Sequence, residues 1–219
     1  MIGFILSMIT ATCTASKDFF VKSATKKYYT KTILWALFVF ASLLLSICFL
    51  GSIFYFGSLP ELKSQFWIAL VLDVPLLILA NHFYIKALKL SEMSFCLPLL
   101  SFTPIGIVPI AAIFLGEKPT VLSLLGICLI IIGSFVLGIK KLKDGLLEPI
   151  KNILKDKGAV YMLTTAFIWS ITSVIDKFGI KGSIASPFMQ SLTWATTKTI
   201  LIMIVLTIIF VYQKQKSRD

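Results

Sequence analysis

The sequence predicts an all-α polytopic membrane protein of seven spans, and three observations carry that prediction. The 219 residues are 58% hydrophobic and only 14% charged, with a mean hydropathy of +0.94; a water-soluble domain of this size cannot bury so much apolar surface. Several apolar runs exceed the ~20 residues needed to cross a ~30 Å hydrocarbon core. Short segments holding nearly all the charge separate them, as in a chain threaded back and forth through lipid.

Taken in order, the runs place spans near residues 2–24, 32–56, 66–87, 92–115, 119–139, 158–180 and 187–212. The first has the apolar run Ile2 to Thr12 and the small residues of a secretory leader. It lacks the basic segment that precedes such a run, so it is read as a retained helix. The fourth contains Pro98, Pro104 and Pro109, which break its hydrogen-bond ladder; Ser101 and Thr103 can satisfy the freed carbonyls or face a solute. Spans four and five meet at the hinge Phe114-Leu115-Gly116-Glu117-Lys118-Pro119. Gly116 stops one helix and Pro119 opens the next in its first turn, which makes the two antiparallel neighbours. Over 140–157, Leu146, Leu147, Ile150, Ile153 and Leu154 at helical spacing predict an amphipathic cytoplasmic or interfacial connector. Spans six and seven occupy 158–212, and a polar tail fills 213–219.

The net charge of +11 does not indicate nucleic acid, because the lysines lie in loops between apolar spans and form no single basic module. They read as topology signals and contacts to the bilayer. Lys17, Lys22, Lys26, Lys27, Lys31, Lys86, Lys89, the lysines of the connector and tail, and Arg218 flank one side of the array. Lys63, Lys118, Lys177 and Lys181 flank the other. The positive-inside rule then puts the N-terminus outside and the tail in the cytoplasm of a multi-pass cell-membrane protein. Cys13, Cys48, Cys96 and Cys128 all fall inside apolar spans without metal-ligand spacing, so reduced packing thiols, no metal and no cofactor are expected. No nucleophile triad or phosphate loop is present, and an enzyme is not expected.

An ionisable side chain at membrane depth costs about 2.5–3.5 kcal/mol on insertion scales and needs a partner, water or a function. Asp73, His82 and Lys198 are such residues, with Asp18, Lys22 and Asp176 nearer helix ends. Asp73 lies among leucines beside Pro75, with Asn81 and Tyr84 on broadly the same helical face. That stripe suggests the wall of a solute cavity, with Asp73 as its coupling group. His82 is a second coupling candidate, titrating near neutral pH, although its place near the end of span three favours an interfacial role. Lys198 is positioned to hold an anion or neutralise Asp73. Trp169 and Ser170 of span six can face the same cavity. Asp18 and Lys22, four apart, read as a local ion pair, and Glu117 as a structural cap at a helix start.

A constant shift of 155 sets Thr14–Lys26 against Trp169–Lys181, superposing Lys22 on Lys177 and Lys26 on Lys181. Copies an odd number of spans apart face opposite ways, which makes this an inverted repeat. Tyr84-Ile85-Lys86-Ala87-Leu88-Lys89-Leu90-Ser91, Pro98, Pro104, Phe114-Leu115-Gly116-Glu117, Leu125-Gly126-Ile127 and Gly133 together resemble the drug/metabolite transporter superfamily with its EamA-type repeat. The resemblance implies one five-helix repeat over 1–139, followed over 158–212 by the first two helices of an inverted second repeat. The family pattern has ten helices and both termini cytoplasmic; this sequence has seven spans and the opposite lysine bias.

The first half is also similar to the small multidrug-resistance proteins, whose coupling carboxylate would fall at Thr14. Gly126 and Gly133, seven apart, resemble the dimer seam of those proteins and imply a homodimer through span five. Taken together, the resemblance implies a secondary transporter that exports a small metabolite or drug-like solute by alternating access. A non-transporting or partner-dependent membrane subunit is the alternative.

Overall fold

The computed structural model describes residues 2–57, 59–138 and 155–216, and it is almost wholly helical. Helix α1 covers Ile2–Thr25, α2 Thr30–Phe56 and α3 Ser64–Leu90. The fourth span is broken into α4 (Met93–Cys96), a 3-10 segment (Leu97–Phe102) and α5 (Thr103–Leu115). Prolines at 98, 104 and 109 remove three backbone donors there, and the tighter 3-10 turn takes up the break. Helix α6 covers Val121–Gly138, α7 Lys157–Ile180 and α8 Pro187–Lys216. Among the described residues, six helical stretches are long and apolar enough to cross a membrane, and α6 contributes a shorter apolar stretch, Val121–Gly133.

Gly116 ends α5 in the left-handed conformation, φ 66°, where its missing Cβ removes the steric penalty. Helix α6 begins two residues later than the hinge motif suggests. Pro119 lies in the connection, and Thr120 accepts from the amide of Ser123 at 3.2 Å. The last helix runs four residues past the expected end at 212, to Lys216. No glycine or proline interrupts Gln213–Lys216. The amphipathic connector expected over 140–157 lies outside the described residues up to 154. Asp156 then caps α7, accepting from the amide of Ala159 at 2.8 Å.

The core is built around α3. Phe66, Leu70, Ile85 and Leu88 are fully buried there, facing Met162 of α7 and Trp194 and Ile202 of α8. Helix α7 packs along α3 and α5, and α2 packs along α8. Residues 3–17 of α1, by contrast, are all exposed on the bundle surface. Their hydroxyls turn inward: Ser7, Thr10, Thr12, Thr14 and Ser16 each donate to the carbonyl four residues back, within 2.9 Å. This satisfies them in an apolar solvent.

The loops gather at two ends. At one, Glu61–Leu62 (β1) and Ser183–Ile184 (β2) form a short antiparallel ribbon, pairing Glu61 with Ile184 and Leu62 with Ser183. The α5–α6 hairpin joins that end through Glu117. The opposite, lysine-rich end carries the α1–α2 and α3–α4 connections and the start of α7. Lys22 donates there to the carbonyls of Leu88 and, at 2.7 Å, Ser91, closing the last turn of α3.

Candidate functional site

Two polar clusters lie inside the bundle. Asp73 and Tyr84 mark them, eleven residues and about 16 Å apart along nearly the same face of α3.

The first cluster joins α3, α7 and α8. Asp73 stands about 14 Å, and Lys198 about 17 Å, along their helices from the ribbon end, so the two meet at similar depth. Lys198 Nζ lies 3.2 Å from Asp73 Oδ2 and also donates to Asp176 Oδ1. Trp194, one turn before Lys198 on the same face, donates its indole N–H to the same Asp176 oxygen at 2.6 Å. Asp73 is completely buried and the Lys198 side chain is 12% exposed. Neither Asp73 oxygen accepts a hydrogen bond among the described residues. One cation thus stands between two carboxylates. Asp73 Oδ1 has no partner among the described residues, and charge so placed in an apolar bundle is costly.

The second cluster joins α1, α3 and α7. Tyr84 donates its hydroxyl to Asp18 Oδ1, and Lys17 Nζ lies 2.9 Å from the same oxygen and 5.0 Å from the centre of the Tyr84 ring. Trp169 packs against that ring, their centroids 5.3 Å apart. Asp18 and Lys22 therefore do not form the local pair suggested by their spacing. Tertiary partners win both: Tyr84 takes the buried carboxylate, and the open carbonyls of α3 take the lysine. Thr14 is exposed and bonded to its own helix; one turn later, Asp18 is the carboxylate that α1 buries.

The other site candidates are spread more widely. Asn81 donates to Leu77 O at 2.8 Å within α3, and Ser101 to Pro98 O at 2.6 Å within the 3-10 segment. Ser170 is buried, its single hydroxyl proton within reach of Thr103 O of α5 at 2.9 Å and of Ala166 O at 2.8 Å. His82 sits nine residues from Asp73, about 180° around α3, and lines a groove on the opposite side of the helix. Gly126 and Gly133 of α6 have open space where a Cβ would stand.

Glu117 does not lie in α6 and caps nothing; it bridges to α7. Its Oε2 accepts from Lys177 Nζ at 2.6 Å, and Lys181 stands 3.8 Å from its Oε1. The Lys177 hydrogen bond, and then the two lysine charges, hold the Glu117 carboxyl below the ordinary carboxylate range. The folded-state pKa is lowered, so the contribution is complete above the unfolded-state value and is lost as pH falls through the lowered one. In a melting-temperature profile against pH, Glu117→Gln is expected to lower the neutral plateau slightly, by as much as it removes from the acid-side fall, so that the two profiles converge at low pH. An unaltered acid limb would dismiss this bridge as a stabilising contact.

The sequence stripe missed Asp176 and Trp194 as members of the Asp73 cluster and Asp18 as the partner of Tyr84. Only the four-residue spacing of Trp194 and Lys198 signalled any of these contacts. Among the described residues, no group of histidine, cysteine, aspartate and glutamate side chains could hold a metal ion.

A multi-span helical bundle enclosing charged clusters that join different spans defines a polytopic membrane protein with polar sites at membrane depth. The family model of the EamA-like transporter family matches residues 1–139, and the chain belongs to that family. It has no significant match among curated proteins or among solved structures.

Proposed function

We propose that the chain is a secondary transporter of the cell membrane that exports a small metabolite or drug-like solute by alternating access. The observation that carries this reading is the buried Asp73–Lys198–Asp176 network, where one ammonium serves two carboxylates. A proton or a cationic group arriving at Asp73 weakens its hold on Lys198 and releases Lys198 to Asp176. Because the three residues sit on α3, α8 and α7, such an exchange changes how those helices hold one another. The ribbon and the Glu117 bridge close one end of the bundle and are the contacts that must part for solute to leave there. Tyr84, Trp169 and Asp18 form a second polar station, toward the lysine-rich end. The division into a complete repeat over 1–139 and a partial inverted one over 158–212 belongs to this proposal, as does self-association through Gly126 and Gly133.

The test is solid-supported-membrane electrophysiology on proteoliposomes, with a proton gradient and a panel of amino acids and organic cations. Solute-dependent currents are expected in the wild type and are expected to fall at least about 100-fold in Asp73→Asn, the scale of losing a group that works in the transport step itself. Undiminished currents in a folded variant would remove Asp73 from the mechanism.

A second reading, a partner-dependent subunit, is favoured by α1. Under the 155-residue shift, Gly158, Met162, Thr165, Ala166 and Ser170 of α7, all buried, fall on Gly3, Ser7, Thr10, Ala11 and Ala15, all exposed. Small residues on one face let another helix approach closely. Inert proteoliposomes that gain currents when a second membrane protein is co-reconstituted would support this reading over the first.

A further inference from the structure

The groove beside His82 lies apart from both polar clusters. It holds about 540 Å³ between α2, α3 and α8, within the usual range of small-molecule sites. Val74, Pro75, Ile78 and Leu79 form one wall; Trp35 of α2, stacked on Phe210 of α8 at 5.6 Å, closes another. Between Val74 and His82 it extends about 12 Å along α3, close to the ~15 Å hydrocarbon depth of one leaflet. Polarity is confined to the lysine-rich end. Lys31 and His82 line the groove there, and Lys86 stands one turn beyond His82 on α3.

We propose that this groove binds an anionic phospholipid of the surrounding bilayer. An acyl chain lies along Val74 to Leu79 against Trp35 and Phe210, and the phosphate sits at Lys31 and the imidazole N–H of His82. Shape and charge match such a lipid: an apolar channel of one-leaflet depth ends at a lysine and an imidazole N–H. By the lysine bias that end faces the cytoplasmic leaflet, where anionic lipids are concentrated. This site does not depend on the transport reading.

Quenching of tryptophan by brominated acyl chains tests it in the intact protein. The wild type is reconstituted in phosphatidylcholine containing increasing fractions of brominated phosphatidylglycerol or brominated phosphatidylcholine. Trp35→Phe is measured alongside, to isolate the Trp35 signal. Brominated phosphatidylglycerol is expected to quench Trp35 at lower mole fraction than the zwitterionic lipid. Lys31→Gln is expected to raise that fraction about fivefold, the scale of one cation near an anionic surface, and His82→Gln is expected to raise it too. Lys26→Gln, a charge change in the α1–α2 turn, is expected to leave it unchanged. Equal quenching by the two lipids overturns the proposal. An equal loss in Lys26→Gln reduces it to diffuse surface attraction, and displacement by inorganic phosphate would show a headgroup site without a chain site; either result also overturns it. Native mass spectrometry of Lys31→Gln, counting retained phosphatidylglycerol, gives a second readout independent of fluorescence.

Discussion

Replacing Lys198 with methionine is expected to destabilise the folded protein by about 3–5 kcal/mol, the cost of removing one partner from a buried ion pair and leaving the other charge uncompensated. Asp73 is the charge left behind. It is fully buried, its oxygens accept no hydrogen bond among the described residues, and Lys198 at 3.2 Å is its counter-ion. Asp176 suffers less, because its side chain is 32% exposed and Trp194 still donates to it. The penalty should therefore fall mainly on Asp73. Asp73→Asn in the Lys198→Met background is expected to restore a large part of the stability, with a coupling of about 0.5–3 kcal/mol in the double-mutant cycle. Unfolding in mixed micelles, followed by near-UV circular dichroism, measures all four corners. Strict additivity would mean that the two residues do not act on each other, and the proposed exchange at Asp73 would lose its basis.

How much of this was legible in the sequence depends on the distance over which each force acts. Apolar run length and charged flanks marked the ends of the fourth span, and Pro98 and Pro104 located its break, because each acts on its own backbone; Pro109 sits inside the unbroken α5. Asp73, Lys198, Tyr84 and Trp169 stood out individually as polar or aromatic residues at membrane depth, which is a local property. Their pairing was not local. Tyr84 shares a helical face with Asp73, yet it bonds Asp18 on a helix 66 residues away in sequence, and Lys198 reaches both α3 and α7. Spacing within one helix cannot choose among partners on several others. For the same reason the four-residue spacing of Asp18 and Lys22 misled. A solvent-exposed pair of that kind is worth only a few tenths of a kcal/mol, and a buried tyrosine hydroxyl outcompetes it. Asn81, Ser101 and Ser170 show the complementary effect: in an apolar bundle a short polar side chain takes the nearest open carbonyl.

The second large effect is expected at Gly182, in the connection that closes the ribbon end. A Cβ built there would stand 2.6 Å from the backbone nitrogen of Phe66 and 3.0 Å from its Cα. These are main-chain atoms at the start of α3 and cannot rotate aside. Phe66 itself is fully buried, edge-on to Trp194 at 5.2 Å, so α3 cannot retreat without disturbing the residue that holds Asp176. Gly182 also accepts from the Lys63 amide and donates to Gly179 O, both at 2.9 Å. Gly182→Ala is therefore expected to cost about 1–3 kcal/mol, the range for forcing extra volume into a packed site, and Gly182→Val more. The neighbouring Ser183 gives the control: its hydroxyl is buried without a partner among the described residues, so Ser183→Ala removes an unsatisfied group and should be neutral or stabilising. Hydrogen exchange separates a local from a global effect. Faster exchange confined to 61–66 and 182–184 in Gly182→Ala would show the ribbon end parting while the rest of the bundle holds, the motion that alternating access requires. Unchanged exchange and melting temperature would mean that the two connections do not pack as tightly as their geometry indicates.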